Sequence, residues 1–366
     1  LNKEIRDHAG MLKIIDLLFG RLPVYIIDNQ REYPVKIVKL SPKGLVVINN
    51  RNIAGKERVL TLVHNQVKFF AVFSYLGGDN KGVEILHPIC IRLKEANREK
   101  NRLSLDGKEY RLKITNTINQ LEIHKAQGFD DTKVEKVIQE FAARLKEKFT
   151  NVFIYFAPRL DNRLRLMTNY DKPIYIPDRK VASSVSFMHF PYDEYVRLIN
   201  VNKLPDKIIS EISVAIKYKG YTPLGYVQIL SDTPLPQLSF EAIQKVAEKI
   251  SDEVINTKVF QESSEICEVK DLSATGLSFL HPQSKFFART FGLGETILFD
   301  LIYPNGKKGS YRAVIKNIKN TEVMFRVGVQ FYNLTNQDYQ LIENFLQSEQ
   351  EEAASKEEGQ AILPAE

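Results

Sequence analysis

The stretch KDLSATGL carries an aspartate, a serine and a glycine at offsets 0, +2 and +5, as Asp271, Ser273 and Gly276, between two apolar strand-like runs. Glycine permits a positive φ and a close approach by a second backbone. The serine hydroxyl and neighbouring amides can reach a phosphate oxygen. The aspartate accepts from a donor edge, such as the N1–H and exocyclic amine of guanine. One short corner can thus hold both ends of a guanine nucleotide. Asp and Ser also close turns by bonding their own backbone, so the motif alone leaves both readings open.

Guanidinium groups are the natural complement, because they grip phosphates and base edges through a planar, permanently charged fork. Two pairs stand at RxxxR spacing, Arg98 with Arg102 and Arg159 with Arg163. Such pairs also arise by chance in a chain of this length, and each reads equally well as a solvated face.

The elements that must position these residues follow from hydrophobic patterning. Met11 to Leu18 has helical spacing and ends at Gly20. From Leu22 to about Leu93, short β-rich runs (VYIID, PVKIVKL, GLVVIN, RVLTLV, VKFFAVFSYL, GVEILHPICIRL) predict a small all-β barrel. A polar stretch then reads as a linker. Val134, Val137, Ile138, Phe141, Leu145 and Phe149 form one helical face, followed by the strand NVFIYFA, a hairpin-like segment from Arg159 to Met167, and the strand KPIYIPD. Two strands meet at Lys219-Gly220, and Ser239 is positioned to cap a helix whose apolar face runs from Phe240 to Val254. That middle region reads as α+β. After Lys258 the all-β texture returns, with a hairpin at Asn305-Gly306, a closing helix at 338–346 and an acidic tail. The domains expected are therefore 1–97, a linker at 98–112, 113–256, 257–347, and a disordered tail at 348–366. Leu40-Ser41-Pro42-Lys43-Gly44-Leu45 echoes Leu272 to Leu277, which reads either as the common taste of tight corners or as two related barrels.

Composition bounds the rest. The 366 residues suffice for two or three domains, and a net charge of +6 only mildly favours anionic partners. The two cysteines, Cys90 and Cys267, lie far apart in apolar runs, which predicts buried thiols and a cytoplasmic protein. No run is long and apolar enough to predict a membrane span. Metal-ligand spacing, a Gly-rich phosphate loop and nucleophile motifs are absent, so no metal, cofactor or catalytic residue is expected and the chain does not read as an enzyme. A basic-aromatic stretch for nucleic acid is also lacking.

The segment from Cys267 to Leu346 resembles the PilZ domain, a small β-barrel receptor for cyclic di-GMP. The resemblance rests on Asp271, Ser273 and Gly276 as DxSxxG, and on Val327-Gly328-Val329-Gln330-Phe331 before a closing helix. Its RxxxR half is expected just before the first strand, but residues 256–265, NTKVFQESSE, contain no arginine. In flagellar-brake PilZ proteins an N-terminal PilZ-like domain leads into an RxxxR linker, a place that matches Arg98 and Arg102. Residues 212–255 resemble a GAF domain, a sensory or dimerising module. The resemblances imply a multi-domain bacterial protein with two small all-β PilZ-like barrels flanking an α+β GAF-like domain. They imply cyclic di-GMP as ligand, held by Arg98, Arg102, Asp271, Ser273 and Gly276, with Arg159 and Arg163 as the second choice of pair. A protein effector in motility or envelope machinery, and a homodimer, complete the expectation. The alternative is a PilZ-fold scaffold that has lost its ligand.

Overall fold

The structure is a computed structural model that describes all residues except 1–2, 42–43, 50, 66, 79–81, 97–101, 109–111, 128–130, 157–158, 182–193, 199–203 and 361–366. The chain divides into two compact units, residues 1–119 with 262–366, and residues 120–261.

The first unit contains two barrels. The N-terminal one follows β1 (Lys3–Ile5), α1 (His8–Ile14) and a π-helical turn, Ile15–Phe19. Its strands are β2 (Val24–Asp28), β3 (Arg31–Ser41), β4 (Gly44–Ile48), β5 (Glu57–His64), β6 (Val67–Gly78) and β7 (Val83–Glu95). They pair in the order β7-β4-β3-β2-β5-β6 and close through β6–β7. Alternate residues such as Leu45, Val47, Leu60, Leu62 and Phe73 point inward, and Met11, Ile15 and Phe19 join the same core. Closure removes the unpaired strand edges that invite aggregation.

The second barrel departs from the expected boundaries. After β8 (Leu103–Ser104), the strand β9 (Lys113–Asn119) pairs with both β14 (Cys267–Ser273) and β16 (Thr296–Ile302). The remaining strands are β15 (Gly276–Pro282), β17 (Lys308–Asn320) and β18 (Met324–Phe331), in the order β15-β18-β17-β16-β9-β14, closed through β14–β15. Residues 113–119 are thus the first strand of this barrel and not the start of the middle domain. The whole of 120–261 is inserted between its first and second strands. Sequence patterning marks a strand but not its partners, which here lie more than 150 residues downstream by the Cys267–Ile114 pairing. The insertion's two connections lie side by side, since the Ser263 N–H donates to the Thr117 carbonyl at 2.9 Å. Ordered along the chain, the six strands of each barrel pair in the same pattern. A short helix, Lys285–Thr290, lies between β15 and β16.

The closing helix spans Asn336–Gln360, so the segment 348–360, expected to be disordered, continues as helix. Its Glu, Gln, Ala and Lys content is favourable to helix. Residues 361–366 of that expectation lie outside the described residues. Within this unit Tyr339 of the closing helix stacks at a tilt on Tyr33, ring centroids 6.0 Å apart, and joins the edge of the N-terminal core.

The inserted unit is α+β. It comprises α2 (Gln120–Gln127), α3 (Thr132–Lys146), β10 (Asn151–Phe156), α4 (Asn162–Tyr170), β11 (Ile174–Ile176), β12 (Ser210–Tyr218), β13 (Thr222–Ser231) and α5 (Gln237–Asn256). The antiparallel sheet runs β10-β13-β12-β11. Phe240, Ile243, Ala247, Ile250 and Val254 are the buried stripe of α5, as their spacing requires. The β12–β13 turn falls at Lys219-Gly220, both at positive φ. Two local expectations fail. Asp161 caps a helix, α4, where a hairpin was expected, its carboxylate accepting from the Leu164 N–H at 2.7 Å. The helix α5 begins two residues before Ser239, after Pro236, so Ser239 lies in its first turn.

Candidate functional site

Asp271 owes its direction to a β-bulge. Val269 pairs with Phe279 and Asp271 with Ser278, so Lys270 is the extra residue on β14. A single insertion reverses the parity of every residue that follows. Cys267 and Val269 face the core, and after the bulge so does Leu272. Asp271 therefore points to the outer face.

Two cations meet it there. Leu103 and Ser104 of β8 pair with Leu272 and Asp271, and the Leu105 N–H donates to the Lys270 carbonyl at 3.0 Å. This short strand brings Arg102 beside the site, where its Nε donates to Asp271 Oδ1. Arg326 on β18 donates from Nη2 to Asp271 Oδ2 at 2.7 Å and from Nε to Ser278 Oγ at 3.2 Å. Asp271 is 4% exposed. Burial alone would raise its carboxyl, but Arg102, Ser278 and Arg326 together hold it below the ordinary carboxylate value.

The other two motif residues shape the corner. Ser273 Oγ donates to the Gly276 carbonyl at 3.0 Å, so the hydroxyl closes the turn. Of the two uses a glycine allows, a positive φ and a close backbone approach, Gly276 serves the second, since it is not among the positive-φ residues. It is required because β18 passes so close that a Cβ there would lie 2.2 Å from the Val329 carbonyl oxygen. Against this corner rests the N-terminal barrel, whose Tyr25 hydroxyl donates to the Phe331 carbonyl at 2.8 Å and lies 3.4 Å from that of Thr275.

Of the expected arginines, the structure brings Arg102 to Asp271, and Arg98 lies outside the described residues. Residues 256–265 precede the second strand of this barrel and not its first, which is why the pair is missing from them. With β9 as first strand, Arg98 and Arg102 precede the barrel directly. The second-choice pair lies in the inserted unit. Arg159 is exposed. Arg163 is 5% exposed and donates from Nε to Glu211 at 2.8 Å. Glu211 also accepts from Tyr195, Ser213 and Gln228, all buried, so Arg163 belongs to an internal polar network. A cleft of about 450 Å³ lies elsewhere in that unit, lined by Met167, Lys217, Ala247 and Ser251 among others.

Arg326 and Ser278 escape motif reading. The available signal was strand alternation, since Val327 and Val329 point inward and leave 326, 328 and 330 to the outer face. Among the described residues no cluster of His, Cys, Asp and Glu could hold a metal ion, and no helix is long and apolar enough to cross a membrane.

Residues 255–348 match the PilZ domain family model, so the C-terminal barrel carries a PilZ domain. The model stops short of β9, which the insertion separates from the matched segment. No curated protein matches the chain. Among solved structures the chain is similar to MrkH of K. pneumonia in its apo state, with 10% identity, 97% of this chain and 100% of that one covered, and a TM-score of 0.28. YcgR from Escherichia coli in complex with c-di-GMP is 9% identical over 97% of this chain and 96% of that one, TM-score 0.27. The Bacillus subtilis inhibitor of motility MotI/DgrA is 8% identical over 90% and 95%, TM-score 0.22.

Proposed function

We propose that the protein is a cytoplasmic receptor for cyclic di-GMP that changes the arrangement of its domains on binding and signals to a protein partner. The observation that carries this reading is the juxtaposition of Arg102 with Asp271 by the β8–β14 pairing, on the outer face of a barrel that contains a PilZ domain. An RxxxR pair and a DxSxxG corner thereby act as one site despite the long insertion between them. Asp271 accepts from a guanine edge, Arg102 and Arg98 supply donors to phosphate and base, and Ser273 and Gly276 hold the corner's shape.

The domain-rearrangement part draws support from Tyr25, which ties the N-terminal barrel to Phe331 and to the corner residue Thr275. A ligand shifts such an equilibrium by its differential affinity for the two arrangements. The shared strand order favours reading the N-terminal barrel as PilZ-like, while the antiparallel β10-β13-β12-β11 sheet with the amphipathic α5 is what supports reading the inserted unit as a GAF-like sensory or dimerising module. Cys90 and Cys267 are both free and buried, which suits a reducing compartment.

A second reading, a ligand-free interaction scaffold, is favoured by one observation. Both oxygens of Asp271 are already engaged by Arg102 and Arg326, so the corner is satisfied without a guest. Isothermal titration of the full chain with cyclic di-GMP separates the two. Saturable heat that disappears in Asp271→Asn supports the receptor. Absence of heat with the wild-type protein overturns it in favour of the scaffold.

A further inference from the structure

We propose that Arg326 is a third arginine of the nucleotide site, one that exchanges its bond to Asp271 for the acceptor edge of a guanine base. This rests on the receptor reading above and adds a contact that neither RxxxR nor DxSxxG contains.

Arg326 reaches the site from the far end of the barrel sequence. Its strand β18 pairs with β15 so that Leu280 faces Arg326 and Ser278 faces Gly328. Asp271, Ser278 and Gly328 consequently form a row across three strands, with Arg326 on the diagonal. Gly328 leaves that row without a side chain beside Arg326, and on its other flank a Cβ would meet the Asn317 amide at 2.6 Å. A flat, polar floor results, bordered by two guanidinium groups.

The charges on this floor do not cancel. Two arginines share one aspartate, so Arg102, Arg326 and Asp271 together carry one excess positive charge that suits an anionic ligand, while the neighbouring Lys270 is paired separately with Glu268 and Asp106. The two arginines are also not equivalent. The Arg102 side chain is 19% exposed and that of Arg326 is 37% exposed. The more exposed pair is the weaker one, because solvent screens it and hydrates the freed group. When guanine offers N1–H and its amine to Asp271, Arg326 is the partner that yields.

The yielded group finds new acceptors on the same base. A guanidinium has five N–H donors in a fork that fits guanine O6 and N7 bidentately. Asp271 and Arg326 then read the adjoining Watson–Crick and Hoogsteen edges of one purine. Adenine presents an amine where Arg326 needs O6, so this pairing selects guanine. Lysine retains the charge and lacks the fork.

The test is calorimetric titration of the full chain with cyclic di-GMP and with cyclic di-AMP, using wild type, Arg326→Ala, Arg326→Gln and Arg326→Lys, with thermal melts to verify folding. The expected result is a loss of about tenfold or more in cyclic di-GMP affinity for Ala and Gln, not restored by Lys, with a narrower preference over cyclic di-AMP. Gln serves where Ala fails to fold. Wild-type affinity in Arg326→Ala or Arg326→Gln overturns the proposal, as does full rescue by lysine, while the receptor reading survives either result. Absence of binding by the wild type overturns the receptor reading and this contact with it.

Discussion

The two barrels carry the same corner built from different chemistry. In each, a bulge precedes the turn, at Val38 on β3 and at Lys270 on β14. In each, a serine pairs with a glycine across the turn, Ser41 with Gly44 and Ser273 with Gly276. Both glycines lie against a neighbouring strand, where a Cβ would approach the Leu86 or Val329 carbonyl oxygen to 2.3 or 2.2 Å. By register Lys39 occupies the place of Asp271, Val46 that of Ser278, and Val83 that of Arg326. Val46 and Val83 are buried. Glycine at this corner is therefore a demand of the fold, met twice. What distinguishes the C-terminal barrel is the outer-face aspartate that its bulge turns toward Arg102 and Arg326.

The sharpest test of this division is binding. Arg102→Ala and Asp271→Asn are each expected to weaken cyclic di-GMP binding about a hundredfold, or about 2.7 kcal/mol, whereas Lys39→Ala leaves the titration unchanged. An equal loss in Lys39→Ala would break the comparison. Next come the glycines. Gly276→Ala and Gly44→Ala should each cost about 1–3 kcal/mol in denaturant unfolding, because a backbone carbonyl cannot step aside without parting two strands. A neutral Gly44→Ala would show that only one corner is under this constraint.

A smaller effect is expected at the contact between the barrels. Tyr25→Phe removes the donor to the Phe331 carbonyl and should lower stability by about 1 kcal/mol. The pH dependence is the mildest test. Because the folded Asp271 carboxyl is held below its ordinary value, its ion pairs contribute fully above about pH 4 and are lost as pH falls through the lowered folded value. Acid titration of stability should therefore lose one component in Asp271→Asn and keep it in Lys39→Ala.

Strand-forming runs in both barrels were legible because each alternates in a half-buried sheet, and residues 57–64 and 67–78 fall within a residue or two of the runs RVLTLV and VKFFAVFSYL. The corner was legible as a motif. Arg102 was reachable only through the flagellar-brake resemblance and Arg326 not at all, because the two meet Asp271 through registers set 169 and 55 residues away in sequence. Local patterning carries no information on such pairings. The α4 error has a local cause, since Asp161 provides a helix cap inside a segment rich in turn-forming residues. Arg163 had the right spacing for a ligand pair and the wrong surroundings, a buried carboxylate that no spacing rule reveals.

The insertion after β9 also governs the order in which the chain can fold. During synthesis β9 emerges long before β14 and β16, its sheet partners among the described residues, and an unstructured loop of that length must be closed before their contacts reward it. If residues 120–261 fold first, their compact body replaces a long floppy loop with a fixed tether. The hydrogen bond from Ser263 to Thr117 then closes a gap of a few ångströms rather than a random coil. Early folding of the insertion would thus speed closure of the barrel that receives it, and a slow or unstable insertion would leave β9 an unpaired edge for longer.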